Sequence, residues 1–595
     1  MATTTPRIII VGGGLAGLSA AIKVAELGGH VDLFSLVPVK RSHSVCAQGG
    51  INSAKNLKGE GDSTWLHFDD TVYGGDFLAN QAPAKLMCEM GPAIIDLLDR
   101  MGVPFSRTPE GLLDFRRFGG TLFNRTAFAG ATTGQQLLYA LDEQVRRFES
   151  EGKVKKYEYW EFLSAVLDSQ GVCRGICAMD LRSMELTTFA ADAVIMATGG
   201  VGAIFGKSTN SVVCTGSAAG ALYQQGAAYA NGEMIQVHPT CIPGEDKLRL
   251  MSESARGEGG RVWVPRNPNE SRPGKQVPEP DRFYFLEEWY PKYGNLVPRD
   301  IATRAIHKVV HELGLGIQGQ PMVYLDLTHI DRATLDRKLG GILDIYEKFA
   351  GEDPHEVPMK IFPGVHYSMG GLWVDADQMT NIQGLYAIGE CDYSIHGANR
   401  LGANSLLSCI YAGFIAGPNS VKYAKSLPAA PENLAASFED EKKRQAELNN
   451  LLLNNQGTEN PFKLWRELGE IMSRNVTVSR YNDKLQETDV QLVEFLERYR
   501  KVNLNDKSMW SNQSFLFTRQ LYNMLQLARV ITQGAFLRNE SRGSHYKPDF
   551  PERDDANFLK TTKAFYAPDT DAPRFEWEAV DISLIKPRPR RYDSK

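Results

Sequence analysis

The side chains in this sequence that could do chemistry gather in a few short stretches. His43 stands in Arg41-Ser-His-Ser-Val-Cys-Ala-Gln-Gly-Gly50 and His238 in Gln236-Val-His-Pro-Thr240. Ser252-Glu-Ser-Ala-Arg-Gly-Glu-Gly-Gly260 brings a hydroxyl, a carboxylate and a guanidinium, those of Ser252, Glu253 and Arg256, within one helical turn or loop. Arg299 follows Pro298, His366 precedes a double glycine in Pro363-Gly-Val-His-Tyr-Ser-Met-Gly-Gly371, and Arg400 lies in His396-Gly-Ala-Asn-Arg-Leu-Gly-Ala-Asn-Ser-Leu-Leu407. Imidazoles and hydroxyls can donate neutral hydrogen bonds to a carboxylate, and a guanidinium can clamp one bidentately. Each group also has an ordinary reading. His43 reads as a solvated loop imidazole or as a nucleophilic ring nitrogen, His366 as a core histidine, and His238-Pro239 as an extended turn. The Ser252–Arg256 cluster reads as a capped, salt-bridged surface, although Gly257, Gly259 and Gly260 favour close backbone approach.

The elements that must position these groups begin at the N-terminus. Arg7 to Val11 is an apolar strand, Gly12-Gly-Gly-Leu-Ala-Gly17 a glycine turn, and Leu18 to Leu27 carries helical periodicity. In a strand, glycine turn and helix of this kind, Gly12 permits the tight turn. Gly14 lets backbone approach a pyrophosphate at the helix N-terminus, and Gly17 allows close helix–strand packing. The second strand, Val31 to Phe34, ends in Ser35, where such units commonly carry the acid that holds a ribose hydroxyl. Ala193-Val-Ile-Met-Ala-Thr-Gly-Gly200 and Gly384-Leu-Tyr-Ala-Ile-Gly-Glu390 read as buried strands ending in glycine, and Thr215-Gly-Ser-Ala-Ala-Gly220 as a helix start. Segment 246–354 reads as an inserted α+β unit. After the break Ser426-Leu-Pro-Ala-Ala-Pro431, charged amphipathic helices run to about residue 540.

Composition bounds the rest. A chain of 595 residues exceeds one hydrophobic core, so roughly two to four domains are expected. Net charge is −5 with signs interspersed, which argues against nucleic acid as a partner. The basic end, Lys586-Pro-Arg-Pro-Arg-Arg591, reads as a short solvated tail. The 8 cysteines form no CxxC pair, so neither zinc nor an iron–sulfur cluster is expected within this chain, and their scatter suits a reducing compartment. No signal peptide is expected before Ile8, and no run of about 18 apolar residues reads as a membrane span.

The motif Arg-Ser-His-Ser-Val-x-Ala-Gln-Gly-Gly-Ile after Gly-Gly-Gly-Leu-Ala-Gly resembles the flavoprotein subunits of succinate dehydrogenase and fumarate reductase. The resemblance extends through His396–Leu407 to Glu540-Ser-Arg-Gly-Ser-His-Tyr546, nearly the whole chain. It implies a Rossmann-like α/β FAD-binding domain (1–245 and 355–425) with an inserted α+β capping domain (246–354). A helical domain (431–540) and a small C-terminal domain (541–595) would follow. It also implies FAD bonded covalently to His43 and held by Gly12, Gly14, Ala16, Gly17, Ser35, Ser42, Gln48, Gly49, Gly50, Ser217, Glu390, Ser405 and Leu406. Phe118, His238, Ser252, His366 and Arg400 would bind the diacid. Arg299 would transfer the proton, relayed by Glu253 and Arg256. Ser217 stands where many members carry an acid, and Ala403 where relatives carry glycine.

By the same resemblance the activity is succinate oxidation to fumarate or its reverse, and Ser217 with Phe205-Gly-Lys-Ser-Thr-Asn-Ser211 looks like the bacterial branch whose partner is a two-haem cytochrome b. Electrons would leave through a separate iron–sulfur subunit to quinone, at the cytoplasmic face of the membrane. Two other readings are open, an L-aspartate oxidase-like soluble flavoenzyme and a non-catalytic flavin electron-transfer protein. His43 argues against the first, and the converging cations against the second.

Overall fold

The computed structural model describes residues 5–244 and 247–592. Its first sheet is five-stranded and parallel, in the order Leu385–Ala387, Ala193–Met196, Arg7–Val11, His30–Ser35, Val154–Glu158. Ile8, Ile9 and Ile10 are fully buried in it, as strands covered on both faces must be. The helix after the glycine turn starts at Leu15, inside the motif, so Ala16 and Gly17 are helical. A side chain at Gly17 would run into the Gly12 carbonyl, so glycine is what lets the helix lie on the strand. Across this helix packs Asn404–Lys425. Its Gly413 and Gly417 face Ala16, Ser19 and Ala20 so closely that any Cβ there would clash.

A six-stranded sheet carries segment 246–354, the expected cap: Arg249–Leu250, Ile235–Ile242, Met359–Ser368, Val323–Asp326, Arg261–Pro265, Arg282–Phe283. Its two long neighbours, Ile235–Ile242 and Met359–Ser368, lie outside 246–354, so the chain enters and leaves the cap on strands that belong to the cap's own sheet. The boundary placed at 245/246 lies outside the described residues. The helices Arg299–His307 and Arg332–Ala350 complete the cap core with Leu335, Leu339 and Tyr346.

Four helices, Leu434–Asn454, Pro461–Asn475, Asn482–Tyr499 and Gln513–Leu537, follow in the region where charged periodicity predicts them. Leu464, Leu468, Met524 and Leu525 share one core with Met196 and Leu385, the helices Pro461–Asn475 and Gln513–Leu537 reaching it across Gly202–Phe205 and the helix Ser217–Gln224. The C-terminal hairpin Lys560–Ala567 and Ala572–Ala579 pairs through Tyr229–Ala230.

The basic tail is not solvated throughout. Arg590 forms an ion pair with Asp300 at 2.5 Å, Arg588 one with Asp69 at 2.6 Å, and Tyr592 is buried among cap residues. Two of the tail's basic residues have found acids from distant parts of the chain, a pairing that local charge density cannot show.

Candidate functional site

Two cavities run together along the C-terminal edge of the parallel sheet. The first, about 150 Å3, is lined by Gly12, Gly14, Ala16, Ser35, Ser42, His43, Ser217 and Glu390. Gly12 has φ +118°, a conformation glycine favours, and a Cβ there would meet the Ala197 carbonyl. The helix Leu15–Glu26 opens without a side-chain cap or an acid in its first turn, and the Ser44 hydroxyl accepts from the Leu15 N–H at 3.2 Å. The positive end of its dipole, turned toward the cavity, suits a pyrophosphate. Ser217 is tied to Asn523 Nδ2 at 3.0 Å, and Ser35 lies in the cavity wall beside Phe34 and Trp160.

The second cavity, about 390 Å3, shares His43, Ser44, Glu390 and Cys409 with the first. Gln48, Gly49, Gly50, Phe118, Ser405 and Leu406 line it. A side chain at Gly49 would collide with the Phe118 ring, so the glycine makes room for that ring in the wall. The Oγ of Ser42 and Oε1 of Gln48 are buried without a hydrogen-bond partner among the described residues. A glycine-lined phosphate pocket leading to a wall with orphaned polar atoms fits FAD, whose pyrophosphate, ribityl and ring atoms can complete those bonds. His43 faces the junction, its Nδ1 accepting from the Ser211 N–H at 3.1 Å and its Nε2 3.2 Å from the Asn210 amide. Burial, helped by the Lys247 charge, lowers its pKa to about 4. The ring is therefore neutral near pH 7, the form that keeps a nucleophilic lone pair. Burial raises Glu390 to about 7, against the Ser368 N–H that donates to it at 3.0 Å.

Beyond His43 the cations converge. His238 and His366 come from the paired long strands, their rings 5.0 Å apart and near perpendicular. Burial first and Arg299 second hold both well below the usual histidine range, so both are neutral. Thr240 N–H donates to His238 Nδ1 at 3.2 Å, leaving Nε2 without a partner among the described residues. Arg400 packs over Tyr367 at 4.3 Å, its Nε likewise unpartnered, and Ser252 hydroxyl lies in the same wall. Glu253 Oε2 accepts from Arg299 Nε and NH2 at 3.0 and 2.9 Å, and its Oε1 from Arg256 NH2 at 2.5 Å. Burial pushes the Glu253 carboxyl up, but Arg299 and Arg256 outweigh it and keep the pKa below the ordinary value. Arg299 and Glu253 border the cavity, while Arg256 stands behind them, donating to the Asn295 carbonyl at 2.7 Å.

Other residues the sequence reading left without a role set this geometry. Gln236 accepts from Arg299 NH1 at 2.9 Å and donates to Asn399 Oδ1 and the Arg400 carbonyl at 2.9 and 2.8 Å, joining the two arginines. Thr209 Oγ1 lies 2.7 Å from His366 Nδ1 and fixes that ring. Gln236 lies two residues before His238, hence on the same strand face, and that spacing was its available signal; nothing local marks Thr209.

Residues 7–406 match the family described as FAD binding domain, and residues 465–592 that described as fumarate reductase flavoprotein C-term. The chain is 66% identical over 589 residues, 99% of this chain and 98% of the relative, to the succinate dehydrogenase flavoprotein subunit of Bacillus subtilis. It is 35% identical to the fumarate reductase flavoprotein subunit of Escherichia coli, covering 100% of this chain and 96% of that one. A solved structure of a mutant quinol fumarate reductase flavoprotein of E. coli superposes with TM-score 0.91 at 33% identity, covering 100% of both chains. With a matched FAD-binding region over most of the cleft and full-length relatives of both names, the chain belongs to the family of succinate dehydrogenase and fumarate reductase flavoprotein subunits.

Proposed function

We propose that this chain interconverts succinate and fumarate at FAD. The observation that carries it is the Arg299–Glu253–Arg256 ion-pair chain opening onto a cavity where His238 Nε2 and Arg400 Nε are buried donors without partners. A small diacid would give those donors acceptors. Arg400, His238, His366 and Ser252 together supply hydrogen bonds for two carboxylates, and pinning both ends orients the carbons between them. FAD, when bound, supplies the two-electron acceptor or donor for the hydride. The matching proton belongs to Arg299. In the oxidative direction its Nε–H or NH2 group passes a proton to Glu253 Oε2 as Arg299 takes the substrate's, and Glu253 faces Arg256 on its other oxygen. The pathway is used backwards for fumarate reduction.

The finer cofactor reading is a bond between a His43 ring nitrogen and a flavin methyl carbon, supported by the neutral, half-buried imidazole at the junction of the two cavities. Partner subunits complete the reading: an iron–sulfur protein, then a membrane cytochrome b with two haems that exchanges electrons with quinone, the assembly lying at the cytoplasmic face of the membrane. Among the described residues no helix is long and apolar enough to cross a membrane and no group of side chains could hold a metal ion; the assignment of electron carriers and anchor to partners rests on the likeness to the succinate dehydrogenase and quinol fumarate reductase flavoproteins.

The test is turnover of succinate with a dye acceptor and of fumarate with a reduced viologen, together with acid denaturation on a gel. Flavin fluorescence that stays with the peptide containing His43 is the expected result. Turnover of L-aspartate without succinate, with flavin released by acid, would overturn the assignment.

A further inference from the structure

The C-terminal tail reaches the catalytic machinery. Arg590, whose side chain is 6% exposed, donates to Asp300 Oδ1 and Oδ2 at 3.0 and 2.5 Å, to the Tyr73 carbonyl at 3.1 Å and to the Gly74 carbonyl at 3.0 Å. Asp300 is the residue next to Arg299 in the first turn of the helix Arg299–His307, and Tyr73–Gly74 end the helix Thr64–Gly74 of the FAD-binding part. One guanidinium thus spans the seam between the helix that presents Arg299 and the body that holds the dinucleotide. Tyr592, two residues on, fills the same seam, its ring 5.6 Å from Tyr73 and 5.0 Å from Tyr293.

A second route leads from Arg590 to the same place. The Gly74 carbonyl that accepts from Arg590 also accepts from Asn399 Nδ2 at 3.2 Å. Asn399 Oδ1 accepts from Gln236 Nε2, and Gln236 Oε1 accepts from Arg299 NH1. Arg299 is therefore braced from its backbone side through Asp300 and from its guanidinium through Gln236, with Arg590 at the far end of both.

We propose that Arg590 is a positioning residue for Arg299, and that the tail is a strap that fixes the proton-transfer helix against the FAD-binding part. The inference rests on the proton role given to Arg299 under the proposed function. The charges around Arg590 fit a device with few alternatives. Asp300 otherwise has Arg304 at 3.3 Å, Asp76 lies 4.0 Å from Arg590 and is itself held by Arg553 at 2.8 Å, and the Tyr592 ring lies 5.1 Å from the Arg590 guanidinium. A strap that merely covered surface would not bury a fork of donors on one carboxylate and two carbonyls. Lysine keeps the charge but cannot reach that set of acceptors, because a single ammonium replaces a planar fork.

The experiment uses the full chain with its flavin and compares Arg590→Ala, Arg590→Lys, Asp300→Asn, the double variant Arg590→Ala/Asp300→Asn, and Arg588→Ala. Arg588 pairs with Asp69 and packs over the Tyr73 and Phe77 rings, with its ion pair away from Asp300, so it serves as the tail control. Expected for Arg590→Ala is a fall in kcat of at least tenfold with KM for succinate changed less than threefold, flavin content unchanged, and faster hydrogen exchange in 299–307. Arg590→Lys is expected between Ala and wild type, Arg588→Ala within twofold of wild type, and the double variant no slower than the slower single, since residues acting through one contact are not additive. Additive losses in the double variant, a kcat within twofold for Arg590→Ala, or a loss confined to KM would overturn the proposal. If the parent chain turns over no dicarboxylate, the functional reading fails by itself. Unchanged exchange in 299–307 on Arg590→Ala would then still sink the strap.

Discussion

Replacing Glu253 by Gln tests the centre of the site with a change of one atom. The carboxylate now accepts three hydrogen bonds from two guanidinia, at 2.5, 2.9 and 3.0 Å, in a place where it is 1% exposed. An amide offers one oxygen and one NH2, so whichever way it turns, one arginine faces a donor. If the oxygen serves Arg299, Arg256 loses its acid; if it serves Arg256, both bonds from Arg299 go. Removing one member of a buried charge pair costs about 3–5 kcal/mol, and each 1.4 kcal/mol is about tenfold in rate. Part of that cost falls on folding rather than on the barrier, so a kcat loss of about 10²- to 10³-fold is expected, read in the dye-coupled succinate assay. Dicarboxylate binding should change far less, because Arg400 and His238 make no hydrogen bond to Glu253. Affinity for a non-reacting dicarboxylate, read by its perturbation of the flavin spectrum, checks this. A kcat within tenfold of wild type, or an affinity that falls in step with kcat, would refute the relay.

Three further outcomes follow from the same coordinates. His43→Ser should retain FAD without the proposed covalent bond and, since the family resemblance implies that this bond raises the flavin potential, lose succinate oxidation more than fumarate reduction; an unchanged ratio of the two rates would contradict that effect. Ala403 caps the helix Asn404–Lys425 with φ 63°, a left-handed conformation that costs a non-glycine residue about 1–2 kcal/mol. Ala403→Gly should therefore raise the unfolding midpoint in denaturant by the equivalent of roughly 0.5–1 kcal/mol once the extra chain entropy of glycine is subtracted, and a lower midpoint would show the strain to be absent. Glu390, raised by burial to about 7, prefers its neutral form in the fold, so it costs stability as pH rises from its unfolded pKa through 7. Glu390→Gln should match wild type near pH 4 and gain on it by up to about 3 kcal/mol at pH 8; a pH-independent difference in thermal unfolding would contradict the raised carboxyl pKa.

Much of this was legible because some residues do local work. Gly12, Gly14 and Gly17 announce a turn whose geometry only glycine allows, and the strand, turn and helix appear there with only the helix start moved to Leu15. The amphipathic helices after residue 431 likewise declare themselves by period. What sequence could not give is long-range partnership. His238 and His366 become neighbours only because two strands pair across the whole of segment 246–354, and the positions of Gln236 and Tyr367 beside them follow from that pairing, while Thr209 reaches His366 from a separate loop. The tail reads as solvated for the same reason: its acids, Asp69 and Asp300, lie 519 and 290 positions away from Arg588 and Arg590. Ala403 was visible as a departure from glycine, but its left-handed φ appears only once the loop is folded.

The charge distribution explains why so many cations can stand together here. Arg256 and Arg299 share the carboxylate of Glu253, whereas Arg400 rests on the Tyr367 ring, with Glu390 raised toward neutrality nearby. Burial and neighbouring Arg299 depress Arg400 to about 9 and hold His238 and His366 neutral. Each neutral imidazole removes a charge the cavity could not hold, while keeping a donor that a carboxylate can use. With Lys247 and Arg249 also in its wall, the cavity without substrate carries an excess of positive charge that an anionic ligand answers. A monoanion would leave either Arg400 or the imidazoles unanswered, and a neutral ligand would leave both. In the proposed reading, selection for a diacid comes from unpaired buried donors at separate points of the wall, and the neighbouring guanidinia that keep Glu253 ionised make it the acceptor next to Arg299.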